Sequence, residues 1–316
     1  MPHPHPHLEP GPDTVHWGFF DARLAPLMTI ASGERVTIST VSGNPEQMPP
    51  PPYRVPPALP AIHQKVTRKI VPGHICTGPV AIAGAKAGQV LQVDIEAIAP
   101  FYDWGYNLVR PLAGALPDDF AETRLIHIGL DAARKVWKLP WGQTVPLAPF
   151  FGVMAVAPPP NWGAVSTLPP RRNGGNLDNK ELVAGTTLYL PIFVDGALFS
   201  VGDGHGVQGD GEVCITAVET GLTGTFRLTV RDDMHLDWPM AETPTHAMTM
   251  AFDPDLDDCG VIALRQMIDL IVARAGLDRY QAYALCSLAA DLRVTQVVNG
   301  NKGIHVMLEK KYLTRG

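Results

Sequence analysis

The sequence predicts a mainly β protein: a jelly-roll or β-sandwich-like region of short strands, then an α+β C-terminal portion carrying two helices. Three observations carry this prediction. The 30 glycines and 31 prolines are spread along the 316 residues, where they punctuate short apolar runs. Runs such as RVTIST (35–40) alternate apolar and polar residues at the period of a half-buried strand. Helical periodicity is confined to a stretch beginning near residue 260.

The elements follow in order. MPHPHPHLEPGPD opens the chain, and alternating proline and histidine can build neither a helix nor a strand ladder. Residues 1–14 are therefore expected to form a disordered His/Pro tail. VHWGFF (15–20) and APLMTIASGERVTISTVSG (25–43) read as strands with an SGE turn. QMPPPPYRVPPALP (47–60) reads as a long extended loop, because each proline removes a backbone donor. Such a loop in a compact enzyme often covers a site or meets a subunit neighbour. GPVAIAGAKAGQVLQVDIEAIAP, VWKLP, FFGVMAVAP, TTLYLPIFV, ALFSVG and EVCITAVET continue the strand pattern. Together, residues 15–225 are expected to form a β-rich catalytic region and 226–316 an α+β region packed on it. In the latter, Val261, Ile262, Leu264, Ile268, Ile271 and Val272 recur at helical spacing. Gly276 is placed to cap that helix and Asp278 to start a second, before VTQVV and GIHVMLE return to strands.

With 46% apolar and 18% charged residues, the composition is that of a globular enzyme. Net charge is −6 and no basic run occurs, so nothing marks nucleic acid as a partner. The absence of a membrane-length apolar run and of a signal pattern predicts a cytoplasmic protein without a membrane partner. Cys76, Cys214, Cys259 and Cys286 are scattered without a CxxC pair, which predicts free thiols.

The chemistry concentrates in GDGHGVQGDGE (202–212). GHGVQG within it matches the dinucleotide fingerprint, but that fingerprint needs a helix next, and a strand-like VCITAV follows. An EF-hand fails as well, because Val207 and Gln208 occupy positions that need an oxygen ligand and a glycine. What remains is a glycine-rich loop that aims Asp203, His205, Gln208, Asp210 and Glu212, running into a strand on which Asp210, Glu212 and Cys214 share a face. An Asp, a His and a second carboxylate can hold a zinc and acidify a water. The plainer alternative is a tight loop whose Asp and His satisfy backbone donors. RRNGGNLDNK (171–180) adds a second glycine turn with Asn176 and Asp178.

Taken together, GGNLD (174–178) and LPIFVDGALFSVGDGHGVQGDGEVCITAVE (190–219) resemble the acetamidase/formamidase family. The similarity extends through TGPVAIAGAKAGQVLQVDI (77–95), GALPDDF (114–120) and LCSLAADLRVTQVVN (285–299). The resemblance implies hydrolysis of a small aliphatic amide to ammonia and a carboxylate, a mainly β fold and a homo-oligomer, dimer or higher. The family's polar core falls on Asn176, Asp178, Asp203, His205, Gln208, Asp210 and Glu212. Gly206 and Ile215 stand where the family pattern more usually has alanine and glycine.

Within that frame a divalent metal is expected, zinc first and calcium as the alternative, on Asp178, Asp203 and His205. Glu212 is expected to act as general base, with Asp210 and Gln208 in the catalytic group and Asn176 and His74 meeting substrate. Asn176, Gln208 or loop N–H groups would steady the oxyanion. Two other readings compete: a thiol amidase using Cys214 or Cys76, and a metal-stabilised β-sandwich that binds a ligand without catalysis.

Overall fold

A computed structural model describes residues 5–314. Two large sheets dominate it. One has nine strands, in the order His7–Leu8, Glu34–Ser39, Leu222–Arg231, Val90–Pro100, Thr187–Pro191, Met240–Glu242, His246–Asp253, Lys302–Glu309 and Asp291–Gln296. The other has eleven, with Phe199–His205 at its centre between Phe150–Ala155, Glu219–Thr220 and Ile75–Ile82.

One core joins the two sheets. Leu222, Gly224, Phe226 and Leu228 alternate inward along Leu222–Arg231, as the two-residue period of a strand requires. Phe226 meets Phe151 and Phe199 of the opposite sheet, with ring centroids 5.6 and 5.7 Å apart. Truncating a buried aromatic of this kind costs about 3–5 kcal/mol, so this contact is a principal tie between the layers. The mainly β sandwich-like expectation therefore holds, and the late helices lie where the periodicity placed them.

Helix Leu256–Ala275 starts at Asp255, whose side chain accepts from the Asp257 and Asp258 amides, and ends at Gly276 in the left-handed conformation. Asp278 caps helix Arg279–Ala289. The buried stripe of the long helix is Cys259, Ala263, Met267 and Ile271, which packs on Ala247, Ala251, Val306 and Leu308. Val261, expected on that stripe, is exposed, because the buried residues at 259, 263, 267 and 271 recur in four-residue steps that leave position 261 off that face.

Three expectations change. Within the segment expected to be a disordered tail, residues 5–14 are built into the structure, and residues 1–4 lie outside the described part. His7–Leu8 pairs in parallel with Thr37 and Ile38, Leu8 is buried, and His5 and His7 hydrogen-bond Thr37 and Ser39. Extended Pro/His backbone suits an edge strand, where half the amides face away from the ladder. The long loop at 47–60 also ends early, in helix Ala58–Lys65. The nine-stranded sheet takes strands from both ends of the chain, and the boundary expected at 225 falls inside Leu222–Arg231.

Candidate active site

Strand Phe199–His205 runs further into the glycine-rich motif than its composition indicates, and every residue of it is buried. Asp203 and His205 are thus on a central strand, not in a loop. The strand expected over VCITAV is absent: residues 206–218 form a loop that leads to Glu219–Thr220. The loop is pinned at Gly211, which exchanges backbone hydrogen bonds with Thr295 and Val297 near the end of strand Asp291–Gln296. This tie turns Glu212 inward, and the face expected to join Asp210, Glu212 and Cys214 does not form.

Four carboxylates converge on one imidazole. His205 Nε2 lies 3.2 Å from Asp203 Oδ2, 3.4 Å from Glu219 Oε1, 3.9 Å from Asp178 Oδ1 and 4.0 Å from Glu212 Oε1. All five side chains are buried. Asn299 Nδ2 donates to Asp178 Oδ2 and, at 3.5 Å, to Glu212 Oε2. Asp178, Asp203 and Glu212 each adopt a positive φ, of 46°, 55° and 45°. Non-glycine residues held there are strained, and such strain concentrates where side chains must be aimed.

Gly152 makes the convergence possible. A Cβ at this position would lie 2.5 Å from both Asp178 Oδ1 and Asp203 Oδ2, and 2.9 Å from the His205 ring. Gly206 has a related explanation: a methyl there would lie 2.3 Å from the buried Trp137 ring, so the indole takes the space that an alanine would need.

The imidazole is oriented from behind. Gln208 Nε2 donates to the Asp178 carbonyl at 2.8 Å, which turns Oε1 toward the ring, so His205 Nδ1 donates to it at 2.9 Å. Nε2 therefore faces the carboxylates. Neither His205 Nε2 nor Asp178 Oδ1 has a hydrogen-bond partner among the described residues. Buried polar atoms are almost always satisfied, so a cluster with two orphans and four carboxylates around one imidazole is short of positive charge. Asp178, Asp203 and His205 can present ligand atoms within 4.8 Å of one another, and so can His205, Glu212 and Glu219. The donor set fits a divalent cation, and the Gln208 contact fits the outer-shell support that a ligating histidine receives.

With protein groups alone, the charges divide unevenly. Burial, reinforced by Glu212, pushes Asp178 well above the usual carboxylate range. Burial likewise raises Glu219 strongly and Glu212 to about 7. Burial also opposes ionisation of Asp203, but the positive charges of His74 and His205 outweigh it and hold Asp203 low. For His205, burial lowers the pKa, and the Glu219 and Asp203 carboxylates more than reverse that.

A cleft of about 160 Å³ opens onto Asp203, Glu212 and Glu219. Pockets for drug-sized ligands run to about 300–1,000 Å³, so this one suits a ligand of a few heavy atoms. His74 and Asn176 line it, and His74 Nε2 lies 3.7 Å from Asp203 Oδ2. Asp210 is elsewhere: it is exposed and pairs with Lys180 at 2.9 Å. Gln208 contacts His205 and is not among the cleft-lining residues. Neither Cys76 nor Cys214 lines the cleft. Burial and the Asp203 charge push the Cys76 thiol well up, which keeps it protonated.

Three residues of the site were missed by sequence reasoning. Glu219 had a usable signal, a lone acid inside the apolar run AVET. Asn299 sits in a turn-like NGN and Gly152 in an apolar strand, and neither composition distinguishes a site from ordinary structure.

A two-sheet scaffold with a buried carboxylate–imidazole cluster at the floor of a small cleft defines the class. The acetamidase/formamidase family matches residues 62–163 and 160–308, and the chain belongs to that family. The acetamidase of Bacillus halodurans superposes with a TM-score of 0.84 at 30% identity, over 97% of this chain and 98% of that one. The acetamidase of Mycolicibacterium smegmatis is 26% identical, over 57% of each chain. The formamidase of Methylophilus methylotrophus is 27% identical, over 44% of this chain and 47% of its own. The chain thus spans about half the length of these two curated relatives.

Proposed function

We propose that the protein hydrolyses a small aliphatic amide, of the formamide or acetamide kind, to ammonia and a carboxylate. The observation that carries this reading is the cluster of four buried carboxylates around His205 at the floor of a cleft of about 160 Å³. Family membership and the names of the relatives support it.

Asp178, Asp203 and His205 would hold a divalent cation; zinc suits the imidazole nitrogen, and calcium would draw on the carboxylates alone. When bound, it would supply Lewis acidity toward the amide carbonyl and acidify a neighbouring water. Glu212 takes a proton from the attacking water and returns it to the departing amine. Burial keeps its carboxyl close to neutrality, where a group exchanges protons in both directions. Asn299 holds Asp178 and Glu212 in place, and Gln208 fixes His205. His74, beside Asp203, contacts the substrate. Cytoplasmic residence and a homo-oligomer belong to the same proposal; Tyr280, Tyr283 and Leu288, exposed on helix Arg279–Ala289, support an assembly.

Glu212→Gln tests the assignment. Ammonia release is expected to fall at least about 100-fold, the scale of a general acid–base contribution, while bound metal stays at the native amount. Native turnover in this variant would remove Glu212 from the chemistry.

A further inference from the structure

Alternate residues of strand Trp104–Val109 and its next residue form one wall of the cleft. Tyr106, Leu108 and Arg110 line it and Asn107 and Val109 do not, as the two-residue period of a strand requires. The wall runs from floor to mouth: Tyr106 is buried opposite Glu219, Leu108 is half-buried and Arg110 is exposed. The cleft's basic side chains are Arg110 and His74, and His74 sits beside Asp203. Its acids, Asp203, Glu212 and Glu219, are buried and gathered around His205.

Ten arginines of the chain pair with a carboxylate. Arg110 makes no hydrogen bond, ion pair or ring contact with any described residue. Water can serve an exposed guanidinium, so this freedom alone identifies no ligand. Its place does. An always-charged fork stands at the mouth of a small cleft whose own acids are engaged on the floor, and such a fork matches a planar carboxylate. We infer that Arg110 receives a carboxylate at the far end of the ligand, so that the site takes short amides that carry an anionic group, the half-amides of dicarboxylic acids. This inference rests on the amide-hydrolysis reading and deepens it by naming the charge of the substrate. The amide lies toward Glu212 and the carboxylate toward the mouth, with the apolar side chains of Leu108 and Ile215 lining the cleft as well. A neutral amide gains nothing from Arg110.

Two matched pairs provide the test: malonamate against malonamide, and succinamate against succinamide. Within a pair the ligands share a shape and differ by one charge. Equilibrium binding is measured in the Glu212→Gln background, which slows turnover. With Arg110 present, the acid of at least one pair is expected to bind about ten-fold more tightly than its diamide at low salt, the scale of a hydrogen bond to a charged group. The preference is expected to shrink as salt is raised. Arg110→Gln is expected to bring it below about three-fold, and Arg110→Lys to leave an intermediate value, because lysine keeps the charge and loses the fork. Diamides bound as tightly as the acids in both pairs would overturn the inference, and so would a preference that survives Arg110→Gln. If a variant fails to fold, the first ratio decides alone. Preference for the acids in a native protein that hydrolyses no amide would sink the hydrolytic reading and leave this one standing. Turnover of acetamide without any preference for the acids would do the reverse.

Discussion

Replacing Gly152 with alanine adds one methyl group beneath the cluster. The new Cβ would lie 2.5 Å from Asp178 Oδ1 and from Asp203 Oδ2, where ordinary contact begins at 3.4 Å. Each carboxylate must then retreat by about 0.9 Å, and neither is free to do so. Asn299 ties Asp178, His205 and His74 flank Asp203, and both residues sit at positive φ. Gly152 itself lies outside the left-handed region, so alanine suits the backbone and any loss reports the collision. Overpacking of this kind costs about 1–3 kcal/mol of stability. A misplacement near 1 Å costs about 100-fold in rate. The assay is kcat/KM for ammonia release from acetamide, with bound metal and thermal stability recorded on the same sample. A folded variant with native kcat/KM and native metal content would refute the claim that these three side chains share one ligand position.

Stability of the chelated protein is expected to fall as pH rises from about 5 to 8. Asp178, Glu212, Glu219 and His205 hold protons in the folded state that the unfolded chain has released, so their contribution disappears as pH passes through their raised values. For Glu212, raised from 4.5 to about 7, the loss is about 3 kcal/mol. Calorimetry across that range, with and without metal, checks this: a midpoint that rises with pH in chelator would contradict it, and metal is expected to reduce the slope. Ile215 lines the cleft at φ 75°, a left-handed backbone that glycine adopts without strain. Ile215→Gly is expected to exceed Ile215→Ala in unfolding free energy by about 1 kcal/mol, since both lose the side chain and glycine alone accepts that φ. Equal stability of the two variants would show that the backbone relaxes.

The fold was legible where local signals agree with tertiary demands. Asp278 and Gly276 mark helix ends through backbone chemistry that acts within one turn, and the two-residue alternation of RVTIST survives because one face of that strand meets the core. Legibility failed where distant contacts decide. VCITAV has the β-branched composition of a strand, but the tie of Gly211 to Thr295 and Val297 bends it into a loop. The opening Pro/His segment looks disordered until Glu34–Ser39 offers it an edge. In the site, Asp178, Asp203, His205 and Glu212 were visible as a cluster of ligand types near glycines. Asp210 groups with them by spacing and by the family resemblance, but the loop points it at Lys180 instead. Gly152 and Asn299 contribute by shape and by one hydrogen bond, neither of which composition encodes.

The buried cluster is proposed to hold a cation and to serve amide hydrolysis. Ammonia release from formamide, acetamide and propionamide, measured before chelation, after it and after adding back single metals, tests this most directly. Release is expected to stop when bound metal is shown to be gone and to return with one divalent ion. Release at the native rate from protein proven free of metal would contradict it.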